Sequence, residues 1–173
     1  LTAVVGAHQV VPAGQATSVA AIQFYLTAYG FATIGAFALV TLVRNAAGEE
    51  NNVAGWSGLA QKSPWVAGLF ALFMLSFAGI PLTGGFIGKW AVFTSAWSGG
   101  YWWLVVAAVL ASLVAAFFYL RVIVVMFVGE PAKGTFVGSA SAWTWAPIVV
   151  GAVATVLLGV VPDQAMQLAT FAG

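Results

Sequence analysis

Hydrophobic and polar positions fall into long blocks along this chain, with no sustained alternation of period two. After a polar turn at 12–15, a first apolar run covers 17–44, where Thr17 or Ser18 can accept an orphan backbone N–H and Arg44 marks the far end. The most polar stretch follows at 45–63, with Glu49, Glu50, Asn51, Asn52 and Lys62. Ser63-Pro64 opens the second run, because proline suits the first helical position. This run covers 64–98 and would be ~50 Å long if straight, against a ~30 Å hydrocarbon core. The interruption Gly79-Ile80-Pro81-Leu82-Thr83-Gly84-Gly85 resolves the excess, since Pro81 lacks a donor and the glycines relax the backbone. Two half-helices, 65–78 and 86–98, are expected on either side of an unwound segment. A turn at Gly99-Gly100 and the interfacial anchor Tyr101-Trp102-Trp103 lead into a third run, 101–128. A polar loop at 129–141 precedes the last run, 143–161, which Pro162-Asp163 ends. The pattern predicts an all-α polytopic membrane protein: one membrane domain over 1–173 with four full transmembrane helices. Residues 1–11 are too short to span and lack the charged region of a signal peptide. They read as a helical stub, the tail of a truncated helix, so the sequence is expected to be the C-terminal part of a longer chain. Residues 162–173 read as a C-terminal tail along the interface.

Composition sharpens this picture. Of 173 residues, 62% are hydrophobic and 5% charged, where soluble domains carry about 25% charged residues. A net charge of +1 with no basic patch excludes nucleic-acid binding. Cysteine is absent and His8 is the single histidine, so no metal or cofactor site is expected in this chain. The loops at 45–63 and 129–141 share one side, because two spans separate them. Arg44, Lys62 and Lys133 lie there, Arg121 lies nearest to it, and the opposite side has neither lysine nor arginine. The positive-inside rule makes these loops cytoplasmic and puts the C-terminus outside.

Lys89 breaks the apolar pattern. It lies ~14 Å from the outer end of its helix by helical rise, near the midplane. An ammonium there costs about 2.5–3.5 kcal/mol on insertion scales. Glu49, Glu50 and Glu130 are in loops and Asp163 is at a helix end, so no acidic partner is evident at that depth. A poorly solvated amine can take and release protons, and the break beside it frees backbone groups to hold water. Lys89 therefore reads as a buried proton carrier, with Gly79, Pro81, Thr83, Gly84 and Gly85 as a helix break and water site. The blander readings are a lysine that snorkels part of the way out, or one paired outside this sequence. Ser76, Tyr25, Tyr29 and Arg121 are candidates for polar support, and Thr94 for holding water. Against this, Arg121 can be a snorkelling anchor, hydroxyls often bond their own helix, and the tyrosines can simply pack. Gly30 and Gly35, with Ala32 and Ala36, suggest a close helix contact.

These residues resemble a known family. Tyr25-Leu26, Tyr29-Gly30 and Gly35-Ala36-Phe37 look like one helix of the antiporter-like subunits of respiratory complex I, NADH-quinone oxidoreductase. The phrase from Leu75 to Trp90 resembles the broken helix of the subunit N branch, typically L-S-x-A-G-I-P-x-T-x-G-F-x-G-K-F; Trp90 stands for the usual phenylalanine. Phe117-Phe118-Tyr119-Leu120-Arg121 resembles a run in the helix that follows. The resemblance implies the antiporter-like inverted-repeat fold, of which this chain holds a part. It implies a proton-translocating membrane-arm subunit, coupling quinone reduction to pumping, with Lys89 in the outward half-channel. The sister subunit M usually has glutamate at the Lys89 position, and subunit L continues into a long lateral helix. Subunits M and K are the expected neighbours, with lipid, in a bacterial inner membrane. NADH, flavin, iron-sulfur clusters and quinone are expected on other subunits. The alternatives are a subunit of a related multisubunit cation/proton antiporter or membrane hydrogenase, and a non-transporting membrane scaffold.

Overall fold

The computed structural model describes residues 18–162. The expected stub at 1–11, His8 and the tail beyond Pro162 lie outside the described residues. Helix α1 spans Ser18–Val40. Strands β1 (Val43–Asn45) and β2 (Gly48–Glu49) follow, then a 3-10 turn at Val53–Trp56 and the short helix α2 (Leu59–Lys62). Helices α3 (Pro64–Ala78) and α4 (Gly84–Ser98) are the two halves of one interrupted element. Helix α5 covers Trp102–Val128, strand β3 Phe136–Val137 and helix α6 Ala142–Val160. Helices α1, α5 and α6 are each long and apolar enough to cross a membrane, and α3 is a shorter apolar helix.

Two local features differ from the sequence expectation. The first run is helical only to Val40; Leu42 N–H donates to the Leu39 carbonyl, and the chain then enters β1. The polar stretch is not a plain loop. Asn45 and Gly48 bracket a tight hairpin in which Asn45 Oδ1 accepts from the Ala47 N–H, and Gly48 has φ 135°, open only to glycine at low cost. Strand β1 also pairs antiparallel with β3, giving the order β2-β1-β3 and joining the two polar loops. Strands of two or three residues leave no hydrophobic alternation to read, so the sequence pattern does not predict them. Lys62 Nζ donates to the carbonyls of Ala132 and Thr135, so this cation closes the loop side instead of remaining a free surface charge. Within the hairpin, the Glu50 carboxylate accepts from Asn45 Nδ2 at 2.8 Å and from the Asn52 N–H at 2.9 Å. The Asn45 bond first, and the Asn52 bond second, hold its pKa below the usual carboxylate range.

Helix α1 is the centre of the bundle, packed against α6, α4 and α3, while α5 lies against α3 and leaves most of its surface outward. The core gathers at the loop end: Leu39, Val43, Leu59, Phe73, Met126 and Ile148 are fully buried. Lipid tails are as apolar as leucine, so close packing must hold such helices together. Small residues permit it. A methyl group on Gly35 would strike the Phe73 ring, and one on Gly151 would lie 2.6 Å from the Phe31 carbonyl. Of the small pair expected on α1, Gly35 makes the contact and Gly30 faces open space. Gly159 is packed against the backbone of Leu82 and Thr83, where a methyl group would meet main-chain atoms only.

That contrast can be tested by thermal unfolding of the purified full-length subunit in its assembly. Gly159→Ala is expected to destabilise by about 1–3 kcal/mol, since backbone cannot rotate aside. Gly68→Ala, whose new methyl meets nothing, should stay within about 1 kcal/mol of the parent. The hairpin gives a pH test. Because the folded Glu50 titrates below its unfolded value, its contribution is whole above the ordinary carboxylate range and is lost as pH falls through the lowered value. Amide exchange at Asn52 and Ala54 should therefore accelerate only in acid, and Glu50→Gln should show the acid behaviour at neutral pH.

Candidate functional site

The site is built around the interruption at 79–83. Helix α3 ends in a Schellman closure. Gly79, with φ 81°, donates its N–H to the carbonyls of Leu75 and Ser76, and Ile80 N–H also donates to Leu75. That satisfies two of the four last carbonyls of α3. The other two, on Phe77 and Ala78, accept from Lys89 Nζ at 2.8 and 3.3 Å. Lys89 belongs to α4 and reaches back across Gly79, whose missing side chain leaves the path open: a Cβ there would sit 3.0 Å from Lys89 Cδ. The half-buried ammonium thus lies at the negative end of the α3 dipole.

A second tie runs the other way. Ser76, buried in the last turn of α3, accepts from the Gly85 N–H through its Oγ at 3.3 Å, meeting an orphan donor at the start of α4. A side chain on Gly85 would overlap the Ser76 carbonyl. Thr83 precedes the first residue of α4, and its carbonyl accepts from Phe86 and Ile87 while its hydroxyl donates to Ile80. Gly84 and Gly85 are therefore helical, and the unwound part is shorter than the 79–85 expected. Leu82 has φ 74°, a conformation that costs a non-glycine residue roughly 1–2 kcal/mol.

The tyrosines come to this site as packing. The Tyr25 ring lies against Gly88, the residue before Lys89. Tyr25 stacks on Tyr29 at 5.8 Å, while Tyr29 and Phe77 at 5.3 Å and Phe77 and Tyr119 at 5.6 Å meet in tilted pairs. These rings buttress Phe77, whose carbonyl holds Lys89. Arg121 is exposed on α5 and takes no part in the ties at the break. Thr94 donates to the carbonyls of Trp90 and Ala91 in its own helix. A cleft of about 150 Å³ lies between the break and α5, with Lys89 in its wall. Ser112 of α5 lines the same cleft. Its only signal in the sequence is a lone serine in the middle of an apolar helix, too weak to mark it as a site residue. Among the described residues, no group of three or more histidine, cysteine or acidic side chains is placed to hold a metal.

Discontinuous helices of this kind, with unwound backbone inside an apolar bundle, recur in membrane transporter folds. Residues 9–115 match the model of the transmembrane family described as NADH:quinone oxidoreductase/Mrp antiporter, and the chain belongs to that family. Subunit N of the NADH-quinone oxidoreductase of a Nocardioides species is 51% identical over 183 residues, covering 100% of this chain and 34% of that protein. Subunit N of Rhodococcus opacus is 51% identical, covering 85% and 27%. This chain thus spans about a third of the length of such relatives. A chain in a structure of respiratory complex I from Thermus thermophilus with bound aureothin matches with a TM-score of 0.75 and 30% identity, covering 86% of this chain and 34% of that one. The resemblance to subunit N read from the Leu75 to Trp90 phrase therefore holds, and the chain is a multi-pass helical membrane protein of bacterial type.

The reciprocal tie can be probed at Ser76. Ser76→Ala leaves the Gly85 N–H without its side-chain acceptor and is expected to cost about 1–3 kcal/mol. Thermal unfolding of the assembled subunit measures it, and an unchanged midpoint would show that the tie contributes nothing.

Proposed function

We propose that this chain is part of a proton-translocating membrane-arm subunit of NADH-quinone oxidoreductase, with Lys89 as a proton carrier at the helix break. The observation that carries this reading is the pairing of Lys89 Nζ with the carbonyls of Phe77 and Ala78. An ammonium has three donors, and these carbonyls use two. The third is available to a water or to another proton-bearing group. Carbonyl dipoles stabilise a cation less than a carboxylate would, so the charge is held without being locked in an ion pair. Such a group can lose a proton while its two remaining N–H bonds keep it in place.

That asymmetry lets Lys89 pass a proton on. A proton arriving in the cleft converts the neutral amine to the ammonium, and the end of α3 offsets part of the charge. A positive charge arriving at a neighbouring site raises the energy of the ammonium and drives the proton outward. The names of the relatives assign NADH and quinone chemistry to the enzyme as a whole. In this reading flavin, iron-sulfur clusters and quinone lie on other subunits, and subunits M and K flank this one in the membrane. The polar loops at 45–63 and 129–141 face the cytoplasm, and the C-terminus faces outward. The family description also names Mrp antiporters, which supports a second reading, a subunit of a cation/proton antiporter. The two separate on whether sodium ions move.

The test uses the whole complex, containing the full-length subunit, in sealed vesicles. Lys89→Met keeps a similar length and removes the titratable group. The complex should assemble but pump fewer protons per electron, with some loss of NADH:quinone activity. Lys89→Arg should not rescue it, because guanidinium stays protonated. Wild-type stoichiometry in Lys89→Met would remove Lys89 from the path.

A further inference from the structure

Beyond Lys89, we infer that Ser112 is a second proton-handling group, and that the cleft it shares with Lys89 is a hydrated station through which the proton passes between the break and α5. The inference rests on the proposed role of Lys89. Helix α5 has 27 residues and Ser112 is near its middle, where a hydroxyl is out of reach of bulk water. A hydroxyl at that depth ordinarily donates to the carbonyl three or four residues back. Thr94 and Ser98 on α4 do so, and so does Thr41 beyond α1. Ser112 makes no such bond among the described residues and lines the cleft instead.

The wall of the cleft is otherwise almost wholly apolar in its side chains. Ala78, Phe86, Phe93, Val109, Leu113 and Ala116 contribute no polar side-chain group, and Trp90 has a donor only. Lys89 and Ser112 are then the two side chains that can exchange a proton. A volume of about 150 Å³ exceeds the ~30 Å³ share of one water several times over. A water needs two to four polar partners to stay in such a place. Lys89 and Ser112 both line the cleft, so the third N–H of the ammonium and the serine hydroxyl can supply them. The hydroxyl both donates and accepts, so it can receive a proton on one lone pair while releasing its own. No net charge then accumulates on α5. Trp90 and Leu113, which also line the cleft, are both exposed.

The test again uses the complete complex in sealed vesicles. These 173 residues contain no cysteine, so Ser112→Cys adds one thiol to this part of the subunit, and labelling is counted against the unsubstituted full-length subunit. Only a thiol in contact with water forms the thiolate that attacks a small cationic methanethiosulfonate, and the mass of the isolated subunit reports the product. Ser112→Cys should react, while Leu110→Cys, exposed on another part of α5, should not. Equal lack of reaction at both positions would show a dry cleft and overturn the proposal. In parallel, Ser112→Ala should lower the protons pumped per electron and displace the pH profile of pumping, and Ser112→Thr should restore both. A wild-type ratio and profile in Ser112→Ala, beside a defective Lys89→Met, would overturn the role of Ser112 while leaving that of Lys89. A wild-type ratio in Lys89→Met would instead bring down the reading beneath it. If Ser112→Ala fails to assemble, the labelling result alone decides.

Discussion

A hydrocarbon core has no water to satisfy a broken backbone, so the interruption between α3 and α4 can exist only if its freed groups find partners inside the protein. The last four carbonyls of α3 all do. Leu75 and Ser76 are met by Gly79 and Ile80, and Phe77 and Ala78 by Lys89. The start of α4 borrows Ser76 in return. The lysine is thus structural before it is anything else. The group that makes the break tolerable is also the one a transporter would need, and no acidic residue has to be buried to keep it there.

The rest of the fold serves that junction. Gly84 lies close to Ala28 and Leu158, Gly88 to Tyr25, and Gly159 to Leu82 and Thr83. Helices α1 and α6 therefore hold α4 and the turn from behind by backbone proximity. The contacting rings of Tyr25, Tyr29, Phe77 and Tyr119 run from α1 through α3 to α5 and brace the end of α3 from the side. The strained conformation of Leu82 persists because its neighbours on both sides are fixed.

Much of this was legible in the sequence because lipid allows few solutions. Long apolar blocks, the proline after Ser63 and the cluster around Pro81 were enough to indicate the helices and the break. Lys89 stood out because charge is rare at that depth. The partners of Lys89 were not legible, because they are backbone carbonyls and every residue has one. Ser112 was hidden for a related reason: a lone serine in a long helix usually bonds its own backbone, and only the cleft distinguishes it. Tyr25 and Tyr29 carried a visible signal, yet whether a tyrosine packs or lines a polar cavity depends on which helix faces it. The β-strands were invisible because two or three residues cannot show a period.

The small sheet has a mechanical meaning. Strand β1 pairs with β2 on one edge and β3 on the other, and Lys62 laces the same two loops together. At that end of the bundle the entries to α3 and α6 and the exits of α1 and α5 are yoked. The jointed element begins at this yoke, bends at Gly79, and ends at the turn of Gly99 and Gly100, where no such lacing is found among the described residues. Helix α4 is held instead by its packing against α1 and α6, so the two ends of the interrupted element are secured by different means, a laced sheet at one and close helix packing at the other.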